Sequence, residues 1–431
     1  MAKVLISFVG TGALKNRNAT PETEREYRTA KYSFDNGKNV IETSFVAKAL
    51  VDHYQIDRVC LLGTVKSMWA EVYRVFSNEL VDEVYLDLEE FSSKSDAGSD
   101  LAMPHKELIE QALGKGSHVE LIKYSITKEE IDINSAIVLS LEDYLNNGDE
   151  LIVDITHSFR SIPLLVMNLL IFLRNVSKKK IAVSRICYGN LDISSELGYA
   201  PVVDLTEIMT INEWIVGAYS LMEFGNGYKI ANLIENENKS VANTLMGFSD
   251  EMNLNHMSGI KSQYLLLSGL KNKEFSPIPA RIIPQTVRAF IEKFPENAKA
   301  SAFLFRSAEW QYEHKNYSAS YMSLLESILV YVSEVACLPM DTSADMEQAK
   351  EVLGKGGNNA MSCTERDECR KMFDKTILEK LIAAYKEVNV IRNGLAHQIE
   401  IQIGKDKHYA NRKELIDVLG KNIAVLKDVI R

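Results

Sequence analysis

Arg392, Asn393 and His397 form a short cluster near the C-terminus, and their side chains suit proton transfer beside an anion. A histidine can take up or release a proton near neutral pH, so His397 is a candidate acid or base. An arginine stays protonated, so Arg392 suits the stabilisation of negative charge on phosphate oxygens. Asn393 can orient either group by hydrogen bonding. The spacing alone proves little, because such a pair also arises by chance.

A second set of polar residues follows the third apolar, strand-like run of the chain. Thr156, His157, Ser158 and Arg160 lie there, directly before Pro163, which suits the first turn of a helix. The N-terminus of a helix attracts anions, and Arg160 could add a two-point contact with a phosphate. We therefore expect these four residues to bind a phosphate-containing ligand. His157 could also act on the ligand as a base, although binding or holding the loop is the simpler role.

Two other strand-like runs also end in glycine and hydroxyl residues. Gly10, Thr11 and Gly12 follow the first run, and Gly63 and Thr64 follow the second. Glycine lets the backbone approach a ligand closely, and free N–H groups can hold phosphate or ribose. In a parallel sheet, ligands bind at the carboxyl ends of the strands. Because three such ends occur in one half of the chain, we predict a shared ligand site that includes these five residues.

The first half of the chain alternates strand-like and helical patterns. Strand-like runs at 4–9, 58–62, 150–154 and 180–188 alternate with helical patterns at 43–54, 67–80, 128–146 and 163–174. Continuous apolar strands separated by helices predict an α/β domain with a mainly parallel, doubly wound, Rossmann-like sheet. Residues 15–39 interrupt this pattern, and 25–34 could form a β-hairpin beside the first loop. Residues 78–100 are polar and acidic and predict an exposed loop.

The second half of the chain has a different pattern, because helical spacing dominates from about Ile208 and strand signals disappear. Residues 211–224, 300–335, 378–390 and 414–430 predict helices, and 354–368 predicts a loop. We therefore expect an α/β domain at 1–207 and an all-α region at 208–431.

Composition limits the classes of partner. The net charge of −10 and the pI of about 5.5 argue against stable binding to duplex DNA, but a local basic groove could still hold RNA. The five cysteines are scattered without a C-x-x-C pair, and no histidine has metal-ligand spacing, so we expect no metal site. The chain opens without a signal-peptide pattern, and the longest apolar run, 162–173, is too short to span a bilayer. We expect a cytoplasmic protein with no membrane partner.

Two of these segments resemble known families. The pattern Arg-Asn-x-x-x-His at 392–397 resembles the signature of HEPN-type ribonucleases. The segment 154–163 resembles the ligand loop of CARF domains in CRISPR-associated proteins, and 8–12 and 61–64 are similar to other CARF loops. A CARF-like domain followed by a HEPN-like domain is the order found in CRISPR-associated accessory ribonucleases. No known pattern covers residues 226–299.

The resemblance implies a ribonuclease of type III CRISPR defence that a cyclic oligoadenylate activates. Cyclic tetra-adenylate is the favoured activator and cyclic hexa-adenylate the second, and no catalytic cofactor is implied. A homodimer, or a higher homo-oligomer, would bind the ring through the CARF-like loops and cut single-stranded RNA without a metal. The products would carry a 2′,3′-cyclic phosphate and a 5′-OH. The alternative is a non-catalytic sensor or scaffold whose HEPN-like half serves dimerisation or partner docking. A further alternative keeps the nuclease but gives it another trigger, or none.

Overall fold

Among the described residues, eight strands form one sheet in the first of two units, Met1–Thr210 and Ile211–Arg431, of the computed structural model. The structure describes residues 1–16, 26–96, 98–99, 101–157, 161–294, 298–340, 342–354, 360–397, 401–403, 407–409 and 411–430. The strands are β1 (Lys3–Val9), β2 (Ala30–Ser33), β3 (Ile41–Thr43), β4 (Arg58–Gly63), β5 (His118–Leu121), β6 (Glu150–Asp154), β7 (Ala182–Gly189) and β8 (Ala200–Asp204). Their order across the sheet is β3-β2-β8-β7-β6-β1-β4-β5.

The strand order reverses beside β1. This strand pairs in parallel with β4 on one side and with β6 on the other. After β2 and β3 at the far edge, the chain builds outward from β1 through β4 to β5, and then crosses β1 to build β6 and β7, again in parallel. The carboxyl ends of β1 and β6 therefore flank a topological switch point, the position at which such sheets bind ligands. The predicted, mainly parallel sheet is confirmed.

The sequence of β1 explains why it lies in the interior of the sheet. Its side chains alternate between two faces, as in any strand. Val4, Ile6 and Phe8 enter one apolar core, whereas Leu5 and Val9 enter another on the opposite face. A strand that is buried on both faces is expected to be apolar along most of its length, and residues 4–9 fit this expectation except for Ser7.

Helices cover both faces of the sheet. They are α1 (Val46–Tyr54), α2 (Trp69–Phe76), α3 (Asp82–Lys94), α4 (Lys106–Leu113), α5 (Lys128–Ser140), α6 (Ile162–Asn175) and α7 (Ser194–Leu197), with a 3₁₀ turn at Leu141–Tyr144. The exposed loop predicted for 78–100 is wrong over most of its length, because α3 lies there. Val84, Leu88 and Phe91 recur at helical spacing and are buried, so the acidic residues occupy the outer face of a packed helix.

The hairpin predicted for 25–34 is displaced along the chain. Strand β2 pairs with β3 in antiparallel fashion, and β2 also joins the main sheet beside β8. Residues 17–25 lie outside the described part. Strands β5 and β8 were not predicted, because each is short and only partly buried, so neither forms a long apolar run.

The second unit is helical, as predicted. Its helices are α8 (Glu207–Phe224, which begins in the first unit), α9 (Tyr228–Ile234), α10 (Lys239–Leu254), α11 (Met257–Leu270), α12 (Pro277–Ile291), α13 (Ala300–Glu313), α14 (Tyr317–Ala336), α15 (Ser343–Val352), α16 (Cys363–Lys371), α17 (Lys375–His397) and α18 (Arg412–Leu426). Two clusters of buried apolar side chains form its core. The members of one come from residues 214–310 and those of the other from residues 305–430. Across the residues described, every helix is too short or too polar to cross a lipid bilayer.

Two local predictions in this unit are wrong. The expected loop 354–368 contains the start of α16, which a reciprocal capping box between Ser362 and Glu365 initiates. An antiparallel pair, β9 (Ile401–Ile403) and β10 (Lys407–Tyr409), follows α17, where no strand was expected. Strands of three residues are too short to show a periodic pattern.

Candidate functional site

The switch point is organised by a buried carboxylate, Asp154, the last residue of β6. One of its oxygens accepts a hydrogen bond of 2.6 Å from the Ser7 hydroxyl on β1. The other accepts bonds from the Thr156 N–H at 2.9 Å and the Thr156 hydroxyl at 2.6 Å. Asp154 therefore ties β6 to β1 and turns the chain at the start of the predicted ligand loop.

Thr156 holds this loop to the neighbouring strand. Besides donating to Asp154, its hydroxyl oxygen accepts a 2.7 Å hydrogen bond from the N–H of Gly189 at the end of β7. A side chain at Gly189 would come within 3.0 Å of the Tyr32 ring and 3.2 Å of the Thr156 methyl group. The Thr156 hydroxyl is thus engaged inside the protein and shapes the loop.

His157 follows at the carboxyl end of β6, beside the crevice that such sheets form at a switch point, and is half-buried. Its Nε2 lies 3.5 Å from the Tyr32 hydroxyl, and its ring centroid is 6.0 Å from that of Phe45. Burial lowers the pKa of His157, and the nearby charge of Asp154 only partly opposes this. Burial raises the pKa of Asp154, although hydrogen bonds from Ser7 and Thr156 oppose that shift. His157 is therefore a neutral imidazole at neutral pH, able to donate or accept one hydrogen bond.

The first loop borders His157. A Cβ atom on Gly10 would lie 3.3 Å from the His157 carbonyl oxygen, so the two loops are in close contact. Gly12 has a φ of +68°, and a Cβ there would lie 2.6 Å from the Tyr27 ring. Glycine is needed at position 12 for both reasons. Thr11 and Gly12 are exposed, so the structure brings Gly10 and His157 together and leaves the rest of the loop open to solvent.

Gly63 and Thr64 are buried in this conformation, whereas direct contact with a ligand would require them to be exposed. Thr64 is 0% exposed, and its hydroxyl donates to the Tyr124 hydroxyl at 3.2 Å. Its N–H donates to Ser67, whose hydroxyl donates in turn to the Val9 carbonyl at 2.6 Å. These bonds join the end of β4 to the end of β1. A ligand would have to open this network to reach Thr64. Ser158 and Arg160 lie outside the described residues.

The C-terminal cluster lies within helix α17. The helix was expected to end near residue 391 but continues through His397, so the motif occupies its last two turns. The Arg392 guanidinium donates to the Asn393 side-chain oxygen at 3.1 Å, and both residues are half-buried, whereas His397 is exposed. Five residues along a helix correspond to about 140° around its axis. Arg392 and His397 of one chain therefore point in different directions.

Glu326, on α14, is a neighbour of Arg392 that we did not predict. Burial raises the pKa of Glu326, and the positive charges of Arg392 and Lys350 oppose this shift. Within the described part of the chain, the Arg392 Nε is buried and has no hydrogen-bond partner. One feature of the sequence could have identified Glu326: it is a carboxylate inside the apolar pattern of α14, between the buried residues Leu325 and Ser327. Nowhere in the described ranges do three or more His, Cys, Asp or Glu side chains gather as a metal would need.

Comparison with known proteins identifies the first unit and the region after it. Residues 4–192 match the family described as the CARF domain of the CRISPR system endoribonuclease Csx1. Residues 210–299 match the second domain of the CRISPR-associated protein MJ1674, and most of this stretch had no recognised pattern in the sequence.

Two individual proteins are also similar. The CRISPR-associated protein MJ1674 of Methanocaldococcus jannaschii is 33% identical over 448 aligned positions, covering 98% of this chain and 66% of that relative. This chain thus spans about two thirds of the relative's length. The structure of Enterococcus italicus Csm6 bound to cyclic hexa-2′-fluoro-hexa-dAMP aligns over 100% of this chain and 94% of that one, with a TM-score of 0.36 and 11% identity. The sequence matches at 4–192 and 210–299, together with the similarity to MJ1674, show that this chain belongs to the CRISPR-associated accessory proteins that contain a CARF domain.

Proposed function

We propose that this protein is a ribonuclease of type III CRISPR defence that a cyclic oligoadenylate activates. Residues 1–207 would sense the ring and residues 208–431 would carry the HEPN-like nuclease. The observation that carries the proposal is the CARF family match at 4–192, placed over a sheet whose switch-point crevice is bordered by Gly10 and His157. The Arg392–His397 motif on the same chain supplies the second activity.

The crevice suits a nucleotide ring. Thr11 and Gly12 are exposed, so their backbone could approach a ligand, and neutral His157 can bond a ribose hydroxyl or a base edge. Ser158 and Arg160 follow His157 in the chain and are the residues that we expect to contact phosphate. We favour cyclic tetra-adenylate as the activator, and cyclic hexa-adenylate is the second ring to test.

Helix α6 supports assembly of two copies around one ring. It begins directly after the predicted ligand loop, and its first six residues are all apolar, with Ile162 and Val166 buried in the core of the first unit. On the outer side of these first turns Leu164 is 70% exposed. A helix segment that is apolar on every side is normally covered, so we infer that a second copy covers Leu164. A two-fold homodimer would then present two crevices to one symmetric ligand.

The chemistry follows from the side chains of α17. The RNA 2′-OH would attack its own adjacent phosphate and the P–O5′ bond would break. His397 would take part in moving the proton from the 2′-OH to the leaving 5′ oxygen, and Arg392 would stabilise the charge on the phosphate oxygens. Asn393, which already bonds the guanidinium, would orient Arg392. Because Arg392 and His397 of one helix diverge by about 140°, a complete site would combine residues from two chains. The products would be a 2′,3′-cyclic phosphate and a 5′-OH, with no metal taking part.

One observation favours the alternative, a sensor or scaffold without nuclease activity. Arg392 is half-buried near the Glu326 carboxylate, and this setting would suit a purely structural charge pair. His397 is exposed at the end of the helix, where its side chain could reach a substrate, and this favours the nuclease.

The test is cleavage of a labelled single-stranded RNA in EDTA, with and without cyclic tetra- and hexa-adenylate. Wild type, His397→Ala and Lys386→Ala would be compared, because Lys386 is an exposed cation on the same helix. We expect ring-dependent cleavage that His397→Ala reduces at least about 100-fold and that Lys386→Ala retains. Absence of cleavage with either ring, from a folded wild type that binds the ring, would reject the nuclease and leave the sensor.

A further inference from the structure

A cavity of about 280 Å³ lies at the carboxyl ends of β4 and β5, beside the switch point. Six of the residues that line it are Val65, Ser99, Leu101, Leu121, Lys123 and Tyr124, and we call it the β4–β5 pocket. We infer that this pocket receives one adenine base of the activating ring, an inference that rests on the proposed function. None of these six residues was among those predicted to bind ligand.

The lining of the β4–β5 pocket matches the chemistry of a nucleobase. Val65 and Leu121 supply apolar walls and Tyr124 supplies an aromatic ring on which a flat base can stack. Leu101 is 55% exposed, and a bound base would remove part of this apolar surface from water. Lys123 adds a positive charge next to these walls, where the phosphate attached to that nucleoside would come.

Buried polar contacts hold the pocket in shape before any ligand arrives. Asn134, on α5, is 0% exposed, and its side chain makes two hydrogen bonds to the backbone of Lys123. Its oxygen accepts from the Lys123 N–H at 2.8 Å, and its NH₂ group donates to the Lys123 carbonyl at 2.8 Å. The same NH₂ group donates to the Ser125 hydroxyl at 2.9 Å. The buried Asn134 amide therefore fixes the position of residues 123–125, the segment that carries Lys123 and Tyr124.

The Tyr124 side chain is also held by Thr64, one of the residues that the sequence analysis predicted to bind ligand. The buried Thr64 hydroxyl donates to the Tyr124 hydroxyl at 3.2 Å. Thr64 would therefore serve the ligand indirectly, by holding the ring against which a base stacks. A wall that is already in place costs less conformational entropy on binding than a mobile one.

The pocket lies within reach of the crevice. Strand β4 is the direct neighbour of β1 and β5 is the next strand, so the pocket is one to two strand spacings, about 5–10 Å, from the end of β1. A ribose and its base together can bridge such a gap. A ring whose phosphates contact the loops after β1 and β6 could thus place a base in the pocket.

Calorimetric titration of the full chain with cyclic tetra-adenylate tests this inference. Tyr124→Ala removes the stacking surface, and we expect the Kd to rise by about tenfold or more. Tyr124→Phe retains the ring and should stay within about threefold of wild type. Tyr144→Ala is the matched control, because Tyr144 is 38% exposed and stacks on His118, at the opposite end of β5. It should bind as wild type does.

Lys123→Glu provides a second variant at the pocket if Tyr124→Ala does not fold, and it should also weaken binding by about tenfold. Wild-type affinity in both folded Tyr124→Ala and Lys123→Glu would overturn the pocket while leaving the proposed function intact. If the wild type binds neither cyclic tetra- nor hexa-adenylate, the proposed function fails instead. In that case 5′-AMP is the probe: binding that Tyr124→Ala abolishes would keep the pocket as a nucleotide site, and no binding would remove it.

Discussion

The Asp154 carboxylate accepts a 2.6 Å hydrogen bond from the Ser7 hydroxyl, and both side chains are fully buried. This bond joins β6 to β1, two strands far apart in the chain, at the point where the strand order reverses. The predicted ligand residues begin directly beyond this point, at Thr156. The stability of the sheet and the shape of the predicted ligand site therefore depend on the same contact.

Ser7→Ala should destabilise the first unit by about 1–3 kcal/mol, because it removes a donor from a buried carboxylate. Urea unfolding followed by a probe in the sheet would measure the change. Ser140→Ala is the matched control: its hydroxyl bonds the Ile137 carbonyl on an exposed helix surface, and its loss should cost little. Equal stability of Ser7→Ala and Ser140→Ala would show that the Ser7–Asp154 bond contributes nothing net.

His157 should make the first unit less stable as the pH falls. Burial lowers its pKa from 6.5, so below that pH the unfolded chain binds a proton that the folded protein resists. The resulting stabilisation is present above pH 6.5 and is lost as the pH falls. Asp154, whose pKa is raised from 3.8, acts in the opposite sense, because its stabilising protonation is lost as the pH rises.

Urea midpoints at pH 7.5 and 5.5 would test this pH dependence. The decrease between the two pH values should be smaller in His157→Gln than in wild type. His118→Gln is a matched comparison, since burial also lowers the pKa of His118 and this residue lies at the start of β5. Both variants should flatten the curve, but only His157→Gln should alter ring binding. An unchanged slope in His157→Gln would mean that His157 is not buried as described.

Leu164→Glu should convert the proposed homodimer to a monomer. It places a charge in the first turn of α6, at an exposed apolar side chain where an apposed copy would bring two such charges together. Sedimentation or light scattering would give the mass, and the monomer should lose ring binding because one crevice cannot enclose the ligand. Asn175→Glu, at the exposed end of the same helix, should remain dimeric. A dimeric Leu164→Glu would place the interface elsewhere.

Arg392→Ala should destabilise the second unit at pH 7.5, on the order of 1 kcal/mol, and less at pH 5. Without Arg392, the half-buried Glu326 carboxylate keeps only Lys350 as compensation, so its raised pKa should rise further. A raised carboxylate pKa contributes stability at low pH that is lost as the pH rises, which gives the direction.

A double-mutant cycle separates this effect from catalysis. Combining Arg392→Ala with Glu326→Gln should restore the stability at pH 7.5, because no uncompensated charge remains, but it should not restore RNA cleavage. If Arg392→Ala costs the same in both backgrounds, Glu326 and Arg392 do not interact. If the double variant cleaves RNA, the catalytic role of Arg392 is rejected.

Much of the fold followed from local pattern. In β1, β6 and α6, the local preference of the residues for strand or helix agrees with their burial in the fold. These elements could therefore be predicted from the sequence. The parallel sheet followed because alternation of such elements allows few other arrangements. The residue types at 392–397 likewise defined a possible chemistry before any coordinates.

Contacts between distant residues could not be predicted in this way. Pairing of β2 with β8 joins residues about 170 apart, and nothing in either short segment identifies its partner. The burial of Thr64 and the proximity of Glu326 to Arg392 also depend on how separate elements pack. Side-chain types and local periodicity can be read from the sequence. Burial and charge pairing arise only when distant segments come together, and they decided which candidate residues are exposed and which hold the fold.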